Sequence, residues 1–159
     1  LSCIASEEIL YPEIARAMGL RGAEVFLHST SEVGSPELTP KDIAKRARAI
    51  ENMAFVVSAN TAGISGVDMP LGSADGMSKI VDDQGRVLVA AGMGESMAAN
   101  TELDVGGLRR RRAEQPEREH GPQRRLPSFA DEHVDVSLTL SLCGREVSFD
   151  TSTYDRRSS

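Results

Sequence analysis

Ser6, Glu7, His28, Ser29 and Thr30 are the residues whose types and placing point to chemistry. Ser6 follows the apolar run from Leu1 to Ala5, which reads as a short buried strand, and it opens the polar triplet Ser6-Glu7-Glu8. An amphipathic helix comes next, with Pro12 in its first turn, where a missing N–H costs nothing. A strand, a tight polar turn and a helix start expose one side chain at a sheet edge. The same turn aims backbone N–H groups at whatever binds there. This places any nucleophile at Ser6, although a small polar turn residue accounts for the same pattern. His28, Ser29 and Thr30 follow a second apolar strand, Ala23 to Leu27, at the end where open α/β sheets place ligands. A solvated or hydrogen-bonded His28 is the plainer alternative. Glu7 and Glu8 also read simply as acids favoured by a helix dipole.

The elements that must position these residues can be read in order. Residues 12–20 form a helix with Ile14, Ala15, Met18 and Leu20 near one face, and Gly19 and Gly22 surround its end. A helix between two apolar strands is a βαβ unit and predicts neighbouring strands in one sheet. Thr39 caps a helix opened by Pro40 and running to about Asn52, with Ile43, Ala44, Ala47 and Ile50 near one face. Met53 to Ala59 is a strongly apolar strand, and residues 61–76 are a glycine-rich loop. Met77 to Val81, the turn Asp82-Asp83-Gln84-Gly85, and Arg86 to Ala91 form a hairpin. A strand at about Met97 to Val105 is expected to extend that meander. Leu108 and Arg109–Arg112 suggest a short basic helix with a solvated or subunit-facing surface.

This order resembles the nitrilase (carbon–nitrogen hydrolase) superfamily over residues 1–113. Tyr11-Pro12-Glu13 is similar to the triplet that follows that family's catalytic cysteine, and counting back six residues from Pro12 gives Ser6. Arg48-Ala49-Ile50-Glu51-Asn52 resembles its Arg-Ala-x-Glu-Asn helix end, and Val57 to Gly63 its next strand and turn. Gly72-Ser73 through Gly85-Arg86-Val87-Leu88 resembles its glycine-serine loop and hairpin. Glu102-Leu103-Asp104-Val105 with Leu108 and the arginines resembles its late strand and Leu-Arg-rich helix. The departure is a serine where the family has cysteine, with Cys3 three positions too early and read as a buried core thiol.

The resemblance implies an α/β fold, half of a four-layer α-β-β-α sandwich. It implies hydrolysis of a small amide, carbamoyl compound or nitrile, with no metal or organic cofactor. Ser6 would hold the nucleophile position, the Glu7 backbone N–H would face the oxyanion, and His28, Ser29 and Thr30 would line the substrate site. The family's general-base Glu and its Lys precede the nucleophile, so they are expected upstream of Leu1, and the chain alone is expected to be inactive. A catalytically inactive binding or interaction protein of the same ancestry is the alternative. Lys41, Lys45 and Lys79 match no catalytic motif, and Glu13 reads as structural, as do Glu51 and Asn52 at their helix end. A homodimer is the family's usual assembly.

Composition excludes several other classes. A net charge of −6 argues against general nucleic-acid binding. No apolar run approaches the roughly 20 residues of a membrane helix, so no membrane partner is expected. Cys3 and Cys143 show no metal spacing and read as reduced, cytoplasmic thiols. Residues 1–105 carry 8 Lys/Arg against 15 Asp/Glu, whereas 106–125 carry 7 Arg against 3 Glu. That change of sign marks a boundary. Residues 114–133 read as linker or disorder. Residues 134–159 read as a tail with a possible hairpin, because Val134, Val136, Leu138, Leu140 and Leu142 alternate and Val147-Ser148-Phe149 returns.

Overall fold

The computed structural model describes residues 1–114, apart from 34, 36, 65, 67, 69–72, 75 and 95, together with the backbone of 134–136. Strand β1 (Ser2–Ala5) runs into a 3-10 helix (Ser6–Leu10) and then helix α1 (Pro12–Leu20). Strand β2 (Val25–Thr30), helix α2 (Pro40–Asn52) and strand β3 (Phe55–Asn60) follow. Strands β4 (Lys79–Val81) and β5 (Val87–Ala90) make the expected hairpin. The five strands lie in the order β1-β2-β3-β4-β5. The first three are parallel and the last two antiparallel to their neighbours. Each parallel crossover carries a helix, as the βαβ pattern requires.

Strand register separates two apolar faces. Ser2, Phe26, Val56 and Val81 share one row, and Ile4, His28, Ser58 and Lys79 share the next row on the same face. This face packs under α1 and α2, burying Ile4, Ile9, Ala15, Phe26, Ala44, Ala49 and Val56 together. The opposite face carries Val25, Phe55, Val57 and Ile80. It is covered in part by Leu103, Val105 and Leu108. Those three residues come from strand β6 (Thr101–Leu103) and helix α3 (Val105–Glu114).

Several expectations change. The second strand begins at Val25 and includes His28, Ser29 and Thr30, so this polar cluster is part of the ladder. Strand β6 does not extend the meander. It pairs antiparallel with β7 (Val134–Val136) in a separate sheet, because its apolar residues cross onto the free face of the main sheet. Cys3 is exposed rather than buried: it shares the row of Leu27 on the face opposite α1 and α2, at the edge strand. The expected linker beyond Glu114, the rest of the alternating strand after Val136, and the 147–149 return strand lie outside the described residues.

Helix α2 departs most from its apolar pattern. Ile43 and Ile50 are 58% and 54% exposed, while Asp42, Lys45, Arg48 and Asn52 are buried beside Ala44 and Ala49. The polar residues recur at three- and four-residue spacing and so share a face. They are buried because each has a partner, which burial of charge demands. Lys45 Nζ lies 2.6 Å from Glu32 Oε1 and 3.3 Å from Asp42 Oδ1, and Lys79 Nζ lies 2.6 Å from Asp42 Oδ1. Arg48 meets Glu51 at 2.8 Å, and Asn52 Nδ2 donates to the Arg48 carbonyl.

Three arginines of α3 are likewise turned inward, whereas the Arg110 side chain is 62% exposed, as a solvated face predicts. Arg112 donates to the carbonyls of Met53, Ala23 and Asn52 at 2.8 to 3.0 Å. Arg109 grips Glu24, and Arg111 grips Asp83, each through two hydrogen bonds. Planar guanidinium groups suit such two-point contacts. They fasten α3 to the loops at one end of the sheet.

Candidate functional site

The parallel strands β1, β2 and β3 all end at one edge of the sheet, and the candidate residues gather there. Ser6 is the first residue beyond β1 and has φ of 41°, a left-handed conformation that a non-glycine residue rarely adopts. This twist turns the chain out of the strand and into the 3-10 helix. Glu8 steadies the turn, because its Oε2 accepts from the Ala5 N–H at 2.8 Å. Glu7 sits in the first turn of that helix, where backbone N–H groups have no intrahelical acceptor.

His28 is 2% exposed and reaches Ser6 from β2. Its Nε2 lies 3.0 Å from the Ser6 carbonyl oxygen, and its Nδ1 lies 2.9 Å from Ser58 Oγ. A carbonyl only accepts, so Nε2 carries the hydrogen and donates. In the neutral ring Nδ1 then accepts from the Ser58 hydroxyl. Burial holds the His28 pKa below its ordinary value of 6.5, and the charge on Lys45 adds to this against the opposing pull of the Ser6 carbonyl. The neutral tautomer is thus the one the site favours. His28 holds the backbone of Ser6 and does not touch its hydroxyl.

Lys41, in the first turn of α2, does reach the Ser6 hydroxyl. Its Nζ lies 3.4 Å from Ser6 Oγ, 3.4 Å from Thr30 Oγ1 and 2.6 Å from Glu7 Oε1. An ammonium has three N–H donors, and these three acceptors match them. The Lys41 side chain is 12% exposed, that of Glu7 65%. Thr39 caps α2 by accepting from the Asp42 N–H, which fixes where Lys41 emerges.

Behind Lys41 lies the buried ion network. Glu32 Oε2 accepts from the Thr39 hydroxyl, and the Glu32 backbone N–H donates to Asn60 Oδ1. Asn60 in turn donates to the Gly76 carbonyl, tying the ends of β2 and β3 to the loop before β4. Burial raises the Asp42 pKa, but the hydrogen bond from Lys79 and the charges of Lys45 and Lys79 outweigh it, so the carboxyl titrates below its usual 3.8.

The structure therefore brings Ser6, Glu7, His28 and Thr30 together and leaves Ser29 apart. Ser29 alternates with His28 and Thr30 along β2, and it is exposed on the opposite face. Glu13 is exposed in the first turn of α1. Lys41 is the residue that sequence reading passed over, since it matches no catalytic motif. Its signal was positional: it lies one residue past Pro40 at the start of a helix that follows a strand ending in Thr30. Among the described residues no group of three or more His, Cys, Asp or Glu side chains is placed to hold a metal ion, and no helix is long and apolar enough to cross a membrane.

A family model described as carbon-nitrogen hydrolase matches residues 3–113. Among solved structures, a carbon-nitrogen hydrolase from Helicobacter pylori G27 superposes with a TM-score of 0.51 at 22% identity, covering 59% of this chain and 36% of that one. An amidase from Nesterenkonia sp. is 32% identical over 57% of this chain and 32% of that one, with a TM-score of 0.49. Saccharomyces cerevisiae Nit3, a member of branch 10 of the nitrilase superfamily, is 23% identical over 59% of this chain and 34% of that one, also at 0.49. The chain spans about a third of the length of these structures. No curated protein matches it.

Proposed function

The chain belongs to the carbon–nitrogen hydrolase family, and from that premise we propose that its site handles a small amide, carbamoyl compound or nitrile at Ser6. The observation that carries this reading is the left-handed turn at Ser6, φ 41°, between the end of β1 and the 3-10 helix. That turn presents a side-chain oxygen at the C-terminal edge of the parallel strands. It sets the Glu7 backbone N–H in the first turn, where a developing oxyanion needs a donor. Hydrolysis of an amide would proceed by attack from position 6 on the carbonyl carbon while a general base takes the proton. The carbon–nitrogen bond then breaks, the amine leaves with that proton, and water releases the acyl group, whereas a nitrile first adds across its carbon–nitrogen triple bond. Among the described residues, the hydrogen bond to Ser6 Oγ comes from the Lys41 ammonium, which is a donor and not a base. The 159-residue chain by itself is therefore expected to bind such compounds without turning them over.

The second reading is an inactive relative that binds a small molecule or a partner. It is favoured by the hydroxyl at position 6, a far weaker nucleophile than a thiolate near neutral pH. Homodimerisation belongs with either reading as a proposal from the family.

Calorimetric titration of the full chain with a panel of small aliphatic amides, nitriles and N-carbamoyl compounds tests the assignment, alongside an ammonia-release assay. Saturable binding that Ser6→Phe abolishes supports it, and no binding by any member at millimolar concentration rejects it. Ammonia release gained on Ser6→Cys favours the hydrolase reading. Binding with no gain is what both readings expect of this chain, whose position 6 meets a donor and not a base.

A further inference from the structure

We propose that Lys41 is the charge partner of position 6: its ammonium stabilises negative charge at that side chain, and Glu7 acts as its exposed, competing counter-ion. This rests on reading position 6 as the reactive position.

The geometry is specific. Lys41 Nζ stands 3.4 Å from both Ser6 Oγ and Thr30 Oγ1 and 2.6 Å from Glu7 Oε1. Three elements supply the cluster: the 3-10 helix gives Ser6 and Glu7, β2 gives Thr30, and α2 gives Lys41. The lysine is held in place, being largely buried and anchored next to Asp42, whose carboxylate is fixed by Lys79 and Lys45. With all three ammonium donors spent on Ser6, Thr30 and Glu7, the hydroxyl hydrogens of Ser6 and Thr30 are left to donate outward. Charge that grows on the oxygen of residue 6, or on an anionic group docked beside it, falls within the range where one opposite charge has a large effect. Glu7 opposes this effect, because a carboxylate on the same ammonium neutralises part of its field. Lys41 transfers no proton and forms no bond in this role.

Among the described residues, the ionisable groups facing position 6 are Lys41 from α2, Glu7 and Glu8 from the 3-10 helix, and His28 from β2. Glu8 is engaged with the Ala5 N–H, and His28 is held neutral by burial. Lys45 and Glu32 lie behind His28 as an opposed pair. Among the described residues, Lys41 and Glu7 are thus the pair positioned to move the charge balance at residue 6 in opposite directions.

The test places an ionisable sulfur there and reads its charge directly. In the full chain, with Cys3→Ser and Cys143→Ser removing background thiols, Ser6→Cys is alkylated by iodoacetamide across a pH series and followed by mass spectrometry. The thiolate displaces iodide, so the rate reports the thiolate fraction. The midpoint is expected below the ordinary thiol value of about 8.5. Adding Lys41→Gln is expected to raise it and slow labelling at neutral pH about tenfold, the size of one opposite charge at this range. Lys41→Arg is expected to restore most of the rate. Adding Glu7→Gln is expected to move the midpoint the other way. An unchanged or lowered midpoint with Lys41→Gln overturns the proposal. If circular dichroism shows that Lys41→Gln unfolds the chain, Glu7→Gln decides alone, and no downward shift overturns it. Labelling needs no turnover, so failure of the hydrolase reading and failure of this one are separately visible.

Discussion

His28 holds Ser6 by its backbone and not by its hydroxyl, with Nε2 3.0 Å from the Ser6 carbonyl oxygen. The imidazole spans from that carbonyl to the Ser58 hydroxyl, so one buried ring sets the distance between the ends of β1 and β3. Replacing it with leucine leaves the Ser6 carbonyl and the Ser58 hydroxyl without their partner. His28→Leu is expected to cost about 1–3 kcal/mol, read by urea denaturation.

The same ring makes stability depend on pH. Its folded-state pKa is lowered from 6.5, so the unfolded chain takes up the proton first. The stability His28 contributes is therefore complete above pH 6.5 and falls as pH drops through the lowered folded value. Denaturation midpoints measured across this window should decline for the natural chain and run flatter for His28→Gln. Equal slopes for the two proteins would rule the histidine out as the source.

Asp42 is shared by Lys45 and Lys79, all of them buried. Asp42→Ala takes from Lys79 the carboxylate it meets at 2.6 Å and leaves Lys45 with Glu32 alone, and is expected to cost about 3–5 kcal/mol, as removal of one partner from a buried pair does. Lys79→Met combined with Asp42→Leu should cost clearly less than the sum of the two single changes. A double-mutant cycle by chemical denaturation checks this, and additive costs would show that the pair is not coupled. Because the Asp42 pKa is lowered, its contribution persists above pH 3.8 and is lost as pH falls through the lowered value.

Arg112 donates to three carbonyls, those of Ala23, Asn52 and Met53. Arg112→Lys keeps the charge but not the planar fork, so it is expected to rescue poorly relative to Arg112→Ala. Limited proteolysis reads the result as faster cleavage near α3 in both variants. Full protection by lysine would contradict the geometric argument.

Gly85 has φ of +79°, and an added Cβ would sit 2.7 Å from Ile50 Cδ1. Gly85→Ala therefore meets backbone strain, while the half-exposed tip of Ile50 can rotate away from the new methyl group. A loss of about 1–3 kcal/mol is expected, most of it strain. Ile50→Ala in the same chain should recover little of it, which thermal melts of the single and double variants would check.

Much of this fold was legible because periodicity and punctuation agree. Pro12 and Pro40 sit at helix starts, Thr39 caps α2, and apolar runs mark β1 to β3. Ser6 was legible as a turn position from the count back to Pro12. The parts that were not legible share one physical reason, which is pairing across the chain. An isolated helix pattern puts Ile43 and Ile50 inward, but Glu32 and Lys79 make it favourable to bury Asp42 and Lys45 in their place. Arg109, Arg111 and Arg112 look like surface until Glu24, Asp83 and three carbonyls are brought beside them. Lys41 is silent for the same reason, since its meaning depends on residues 6, 7 and 30, which lie far from it in sequence.

The charged underside of α2 also works as a keyed joint. Oil-like side chains tolerate a helix turning about its own axis, because one methyl group substitutes for another. Asp42 and Lys45 do not: at 3.6 residues per turn, a slip of one residue swings each of them by about 100° away from its counter-charge. Lys41 is the residue just before Asp42, so the angle at which it leaves the helix is set by that key. The ions buried beneath α2 thereby act as a goniometer for the ammonium above, fixing the direction from which positive charge arrives at Ser6.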